Sequence, residues 1–275
     1  MPEGPEVRRA ADRIEKAIGK SPIIHLQLYA PALNGLTSSL VNNQLQKVHT
    51  YGKAFVLEFK QSIFIYVHLQ LYGVWKTGRR STTPKTNRSL RIWLETNTHY
   101  AALYSATTIE VLTPNSIPKH PYIRKLGPDL LNRPTLGVSH VSRRLGNTKF
   151  SRRSLGHLLL DQSFFAGVGN YLRSEILFAA KLHPGQTIGK LSSEQKTELA
   201  RAIHTMLHRA YKTGGITTTP EVVKDARNAG KRRRQYRHYV FARHSLPCRV
   251  CGSKIKKQEI AGRRLYMCMT CQPQR

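Results

Sequence analysis

An α+β chain in two domains is predicted, with a β-sandwich and one leading helix in the N-terminal half and a helical C-terminal half that ends in a four-cysteine ribbon. Three observations carry this. From Leu26 to about Tyr122 the sequence runs in short stretches rich in β-branched and aromatic residues; beyond Gly127 the apolar spacing becomes helical; and all four cysteines lie between Cys248 and Cys271. At 275 residues the chain is long enough for two cores.

The leading helix spans Val7 to Ile18, with Val7, Ala10, Ala11, Ile14, Ala17 and Ile18 on one face, Glu6 in its first turn and Gly19 just past its end. Strands are expected at Ala54–Phe59, Ser62–Val67 and Leu90–Leu94, broken by turn signals such as Gly78 and Pro84. Gly127-Pro128-Asp129 to Asn132-Arg133-Pro134 reads as a linker, because prolines and glycine punctuate it and helical patterning follows. The expected divisions are therefore 1–126, a 127–134 linker, 135–238 and a 239–275 ribbon. Within the third, Ser154–Leu160 is helical, Gly167-Val168-Gly169-Asn170 interrupts, and Tyr171–Ala180 resumes with Leu172, Ile176 and Leu177 on one side. Ser192-x-x-Gln195 is a capping box opening a helix through Leu199, Ile203, Met206, Leu207 and Ala210 that stops before Gly214-Gly215. Residues 214–238 show no clear pattern and contain the basic run 231–237. That run is either a solvated loop or faces phosphate, and the interleaved Tyr236 and Tyr239 lean toward the latter. There is no internal repeat.

Lys and Arg number 45 against 15 Asp and Glu, a formal charge of +30, which calls for an anionic polymer as partner, nucleic acid first. A membrane partner is disfavoured, since no run approaches the ~18 apolar residues of a spanning helix. The charges at Glu3, Glu6, Arg8, Arg9, Asp12, Arg13 and Glu15 leave no room for the apolar stretch of a secretory signal, so a cytoplasmic protein is expected. Cys248-x2-Cys251-x16-Cys268-x2-Cys271 has the ligand spacing of one tetrahedral zinc site. Four thiolates close the coordination sphere, so the metal is structural; idle thiols are the alternative.

The terminus Met1-Pro2-Glu3-Gly4-Pro5-Glu6 is chemically unusual. Removal of Met1 leaves a proline secondary amine beside a carboxylate. A terminal amine titrates near ~7.7 to 8 where lysine sits near ~10.4, so much of it is unprotonated and ready to form an imine at neutral pH. The plainer reading is a helix lead-in, with Pro5 in the first turn.

Together, Pro-Glu-Gly-Pro-Glu at the terminus, the β-rich half, the helix-Gly-x-Gly-Asn-helix unit and the terminal cysteine ribbon resemble the Fpg/endonuclease VIII DNA glycosylases over nearly the whole chain. Gly4, where formamidopyrimidine-DNA glycosylases typically carry Leu, and Gln70-Leu71-Tyr72-Gly73-Val74-Trp75 resemble the endonuclease VIII branch. The resemblance implies a helix-two-turn-helix unit in the C-terminal half and a bifunctional glycosylase/lyase acting on oxidised bases, pyrimidines above all, of damaged DNA, as a monomer held to the nucleoid through DNA. It implies that Pro2 attacks C1′, that Glu3 moves the protons, and that Glu6 positions the site or assists; helix capping alone also accounts for Glu6. Lys53 then contacts the phosphate beside the lesion, where otherwise it reads as a surface lysine. Asn170 meets a phosphate at a helix start, a place that also suits a plain N-cap. Arg263, after Ala261-Gly262, is a backbone contact at the tip of the ribbon, and Arg264 beside it stands where a proline or small residue is often seen. Gln70, Leu71 and Tyr72 fill the stack vacated by the everted nucleotide, whereas alternation in a buried strand is the other reading. A non-catalytic zinc-ribbon nucleic-acid binder explains the charge and cysteines equally well, but has no use for Pro2, Glu3 and Lys53 together.

Overall fold

The computed structural model describes residues 2–132 and 136–274. Met1, and Arg133 and Pro134 of the expected linker, lie outside the described residues. The chain divides into two compact units, Met1–Leu126 and Gly127–Arg275.

The first unit opens with helix α1 (Gly4–Ile18), followed by β1 (His25–Leu28), a helical turn α2 (Thr37–Leu40), β2 (Leu45–Tyr51), β3 (Ala54–Phe59), β4 (Ile63–His68), β5 (Val74–Arg79), β6 (Leu90–Glu95), β7 (His99–Tyr104) and β8 (Thr108–Leu112). The strands form two four-stranded antiparallel sheets, ordered β1-β6-β7-β5 and β2-β3-β4-β8. Register explains the core. Phe55 faces Val67 and Leu57 faces Ile65 across β3–β4, and Leu94 faces Ala101 across β6–β7, so one face of each sheet contributes to a shared apolar cluster. The stripe Val7, Ala10, Ala11, Ile14 and Ile18 of α1 is buried in that cluster, and α1 lies against β2, β5 and β7. On its other face the second sheet carries Ala54, Val56, Phe64, Tyr66 and Leu112, covered by Ile117, Tyr122 and Ile123 from the chain after β8.

Gly78 is not a turn residue. It lies inside β5 opposite Tyr100, and a Cβ there would come within 2.7 Å of the Tyr100 hydroxyl. The space is taken by the Tyr100 ring, which stacks on Trp93 at 4.4 Å. A glycine that makes room for a neighbour's ring is indistinguishable in sequence from one that starts a turn.

The second unit contains α3 (Val138–Leu145), α4 (Leu155–Leu158), α5 (Asn170–Ala179), α6 (Ser193–Thr213), α7 (Pro220–Asn228), α8 (Arg233–Tyr236), and the hairpin β9 (Lys256–Ile260) and β10 (Arg263–Met267). Its core gathers Val141 and Leu145 of α3, Leu172, Ile176 and Leu177 of α5 and Leu199, Ile203, Met206 and Leu207 of α6, with Leu265 and Met267 of the hairpin inserted among them. The capping box at α6 is formed in both directions, Gln195 N to Ser192 Oγ at 3.2 Å and Ser192 N to Gln195 Oε1 at 3.0 Å, and Gly214 closes the helix at φ 72°. Residues 127–132 belong to this unit: Gly127 N bonds Gln162 O at 2.8 Å, Ala166 N bonds Pro128 O at 3.0 Å, and Leu130 is buried in the helical core.

Residues 214–238 are ordered into α7 and α8, contrary to their weak pattern. Only Ile216, Ala226 and Tyr236, with Val223 beside them, form their small core, too few for a visible helical period. Tyr236 is therefore buried, and Tyr239 stacks on Phe178 at 5.4 Å. Neither is an exposed platform for a base. Among the described residues no helix is long and apolar enough to cross a membrane.

Candidate active site

The N-terminal acids are organised by the start of α1. Glu3 is its N-cap, buried, and its backbone N–H donates to Glu6 Oε2 at 3.2 Å, one arm of a capping box that also joins the Glu3 side chain to the Glu6 backbone. The Glu3 carbonyl accepts from Val7 N at 3.0 Å. Glu6 thus fixes the backbone of the residue next to Pro2, and Pro2 is half-buried at the head of the same helix.

Lys53 occupies a two-residue hairpin turn, Gly52-Lys53, between the paired residues Tyr51 and Ala54. Gly52 takes φ 60°, the left-handed value such a turn needs. Lys53 is only 9% exposed, which rules out a generic surface lysine, and its backbone N–H donates to the Tyr122 hydroxyl at 3.1 Å. His68, at the end of β4, is also buried; that burial, reinforced by the nearby Lys53 charge, holds it down to about 4 and keeps the imidazole neutral.

Immediately after His68 the chain forms a tight loop. Gly73 N returns to Leu69 O at 2.8 Å, Gln70 N donates to His68 Nδ1 at 3.0 Å, and the Arg88 guanidinium donates to the Tyr72 carbonyl. Gln70 pays for this with a left-handed φ of 49°. A Cβ at Gly73 would lie 2.6 Å from Leu69 O. The loop leaves Leu71 62% and Tyr72 67% exposed, so these residues are not buried in a strand. Two large apolar side chains on a braced turn have the form of a wedge.

In the second unit, Gly169 and not Asn170 caps α5; Asn170 is the first helical residue. Its Oδ1 accepts from Arg173 Nη2 at 2.7 Å, which turns the amide nitrogen into the group left to donate outward. Arg173 is fully buried and also donates to the carbonyls of Gly156 at 3.0 Å, Ile260 at 3.1 Å, Arg263 at 3.2 Å and Arg264 at 3.3 Å. One guanidinium therefore holds Asn170 and the ribbon tip in register. At that tip Ala261 and Gly262 both take positive φ, 57° and 65°, and Arg263 and Arg264 project as exposed side chains. Glu175 plays a similar part, accepting from Tyr239, Val240 and Phe241 N at 2.8 Å and from the Thr217 hydroxyl. Sequence reasoning missed Arg173 and Glu175; their one available signal was a charged residue on the apolar side of an otherwise buried helix.

The Sγ atoms of Cys248, Cys251, Cys268 and Cys271 all lie within 4.8 Å of one another, with Cys248–Cys271 at 3.9 Å and Cys251–Cys268 at 3.4 Å. A tetrahedron with zinc–sulfur bonds of about 2.3 Å has sulfur–sulfur edges of about 3.8 Å, so the four donors fit one structural zinc. The metal, when bound, ties the two knuckles together; with four thiolates around it, no position is open for chemistry.

Three family models match the chain: the formamidopyrimidine-DNA glycosylase N-terminal domain at residues 1–106, the formamidopyrimidine-DNA glycosylase H2TH domain at 126–221, and the zinc finger found in FPG and IleRS at 245–274. Endonuclease 8 of Enterobacter sp. (strain 638) is 39% identical over 272 residues, covering 99% of this chain and 100% of the relative, and Endonuclease 8 of Escherichia coli (strain K12 / DH10B) is likewise 39% identical over 272 residues with the same coverage. Among solved structures, the Lactococcus lactis formamidopyrimidine-DNA glycosylase bound to DNA containing an abasic site superposes with a TM-score of 0.78 at 22% identity, over 99% of this chain and 100% of that one, and the same enzyme with DNA containing an oxidised pyrimidine also reaches 0.78. The structural likeness carries the fold, a two-part α+β architecture with a terminal four-cysteine cluster, and the full-length identity carries the kinship: the chain belongs to the Fpg/endonuclease VIII family of DNA glycosylases.

Proposed function

We propose that this protein removes oxidised bases, pyrimidines above all, from damaged DNA through a Schiff base on the Pro2 amine, and then cuts the strand by β- and δ-elimination. Family membership makes it a DNA glycosylase of base excision repair with one structural zinc. The observation that supports the finer reading is the head of α1, where Pro2 precedes a buried Glu3 whose backbone is held by Glu6.

Once Met1 is removed, the neutral Pro2 nitrogen attacks C1′, the glycosidic bond breaks and the base leaves with a proton supplied through Glu3; the C1′–O4′ bond then opens as O4′ takes up the proton released by the amine. The resulting iminium acidifies the C2′ proton. Loss of that proton expels the 3′ phosphate, and a second elimination expels the 5′ phosphate. Lys53 contacts the phosphate beside the lesion, Asn170 and Arg263 hold the backbone, and Gln70, Leu71 and Tyr72 fill the gap left by the everted nucleotide. Saturated, non-planar pyrimidines stack poorly, so they cost less to extrude than a purine. The protein acts as a monomer in the cytoplasm, on the nucleoid through DNA and apart from any membrane.

Borohydride treatment of the processed protein with duplexes carrying thymine glycol or 8-oxoguanine tests this. A covalent complex should form faster on thymine glycol, and Pro2→Gly or retention of Met1 should abolish it. Equal trapping by the Met1-retaining form would move the nucleophile to a lysine, and faster trapping on 8-oxoguanine would overturn the pyrimidine preference.

A further inference from the structure

The Lys53 turn and the root of the wedge share a neighbour that belongs to neither motif. After β8 the chain folds back across the outer face of the second sheet, where His120, Tyr122 and Ile123 lie over Tyr66 and the start of β3. Tyr122 meets both functional elements. Its hydroxyl accepts the Lys53 backbone N–H at 3.1 Å, and its ring packs edge-on to His68 with centroids 5.1 Å apart. His68 in turn uses Nδ1 to accept the Gln70 N–H at 3.0 Å, which places the imidazole proton on Nε2. Tyr122 is itself anchored: its backbone N–H donates to His120 Nδ1 at 3.2 Å, and the His120 ring lies 4.2 Å from that of Tyr66.

We infer that Tyr122 is a positioning residue for the reaction, its hydroxyl setting the Lys53 turn and its ring setting His68, and through His68 the first residue of the wedge. The inference rests on the roles proposed above for Lys53 and for Gln70 to Tyr72. Lys53 sits at the tip of a two-residue turn, so its side chain goes where the turn's backbone directs it. Misplacing a reacting group by about 1 Å costs up to about a hundredfold in rate. The phenol is the structural link that makes lysine and wedge respond to the same side chain.

The test separates hydroxyl from ring and elimination from affinity. Tyr122→Phe should lower single-turnover β-elimination on an abasic-site duplex about tenfold while changing affinity for a tetrahydrofuran-containing duplex less than about twofold. Tyr122→Leu, which also removes the ring, should weaken that affinity about tenfold as well. In a Lys53→Ala background, Tyr122→Phe should cost less than about a further twofold, because the group it positions is gone. Parental elimination by Tyr122→Phe beside an impaired Lys53→Ala would overturn this inference alone, as would the same loss in both backgrounds. So would an equal loss of elimination and affinity in Tyr122→Phe with a lowered unfolding temperature, which marks a residue that only supports the fold. Parental elimination by Lys53→Ala would overturn the role of Lys53, and this inference with it.

Discussion

Arg173, which belongs to no motif, ties three segments of the second unit together. Its guanidinium satisfies four backbone carbonyls and the Asn170 side chain while wholly out of water. A buried charge tolerates such a place when hydrogen bonds meet it, and here Nη1 and Nη2 find acceptors in the segments that carry Asn170 and Arg263, the two residues proposed to hold the DNA backbone. Arg173→Met keeps the volume but strands those carbonyls, so stability should fall by about 3 kcal/mol in urea denaturation. Affinity for undamaged duplex should fall with it, since Asn170 loses its orientation and the Arg263 tip its register. A variant as tight as the parent on DNA would show that the two contacts are set by other means. Glu6 makes the same point on a smaller scale: its carboxylate holds the Glu3 backbone, an arrangement compatible with both readings of Glu6 offered by the sequence.

The loop from Gln70 to Gly73, proposed above as the wedge, shows how an element is stiffened without a core. Its exposed side chains contribute nothing to folding, so the turn is held by backbone and side-chain hydrogen bonds from Gly73, His68 and Arg88, and by a glycine that no other residue replaces without meeting Leu69. Burying a leucine fully is worth about 1.5–3 kcal/mol, or about ten- to a hundredfold in affinity. Leu71→Ala should therefore weaken binding to an abasic-site duplex by about tenfold or more with no change in unfolding temperature. Gly73→Ala, by contrast, should lower both, through strain in the turn. Unchanged affinity in Leu71→Ala would remove that residue from the wedge.

At the scale of the molecule, the charge of +30 overstates the phosphate-binding surface. Part of the basic run 231–237 is spent inside the fold. Arg237 Nε donates to Gly215 O at 2.7 Å and Arg233 donates to Gly214 O, so both cations sit at the C-terminal end of α6, where its dipole favours them. Arg249 likewise reaches Gln235 O and, at 3.2 Å, His238 O. Arg263 has no such duty for its side chain in the fold and stands exposed at the ribbon tip. With a log–log salt slope of about −0.9 per phosphate neutralised, Arg263→Ala should shrink the slope on undamaged duplex by about one unit with stability unchanged. Arg237→Ala should leave the slope nearly as it was and cost about 1 kcal/mol of stability. A selective loss at one base on Arg263→Ala would mean that the residue reads sequence instead of backbone.

What the sequence determined by itself was whatever depends on neighbours along the chain. The stripe of α1, the capping box of α6, the β-branched and aromatic runs read at Ala54–Phe59 and Ser62–Val67 and the cysteine spacing all express periodicities or short-range chemistry that survive in one dimension. Tertiary structure alone decided which polar groups are withdrawn from water and what meets them there. Lys53 and Tyr122 are far apart in sequence, as are Arg173 and the ribbon tip, and no local pattern announces either pair. Gly78 and Tyr236 were misread for the same reason, because a ring that fills space beside a glycine, or a tyrosine that closes a three-residue core, is defined by what the fold brings against it. Hydrogen bonds across such distances form only when the apolar core has already fixed the backbone, so they follow from the packing and leave no spacing in the chain to read.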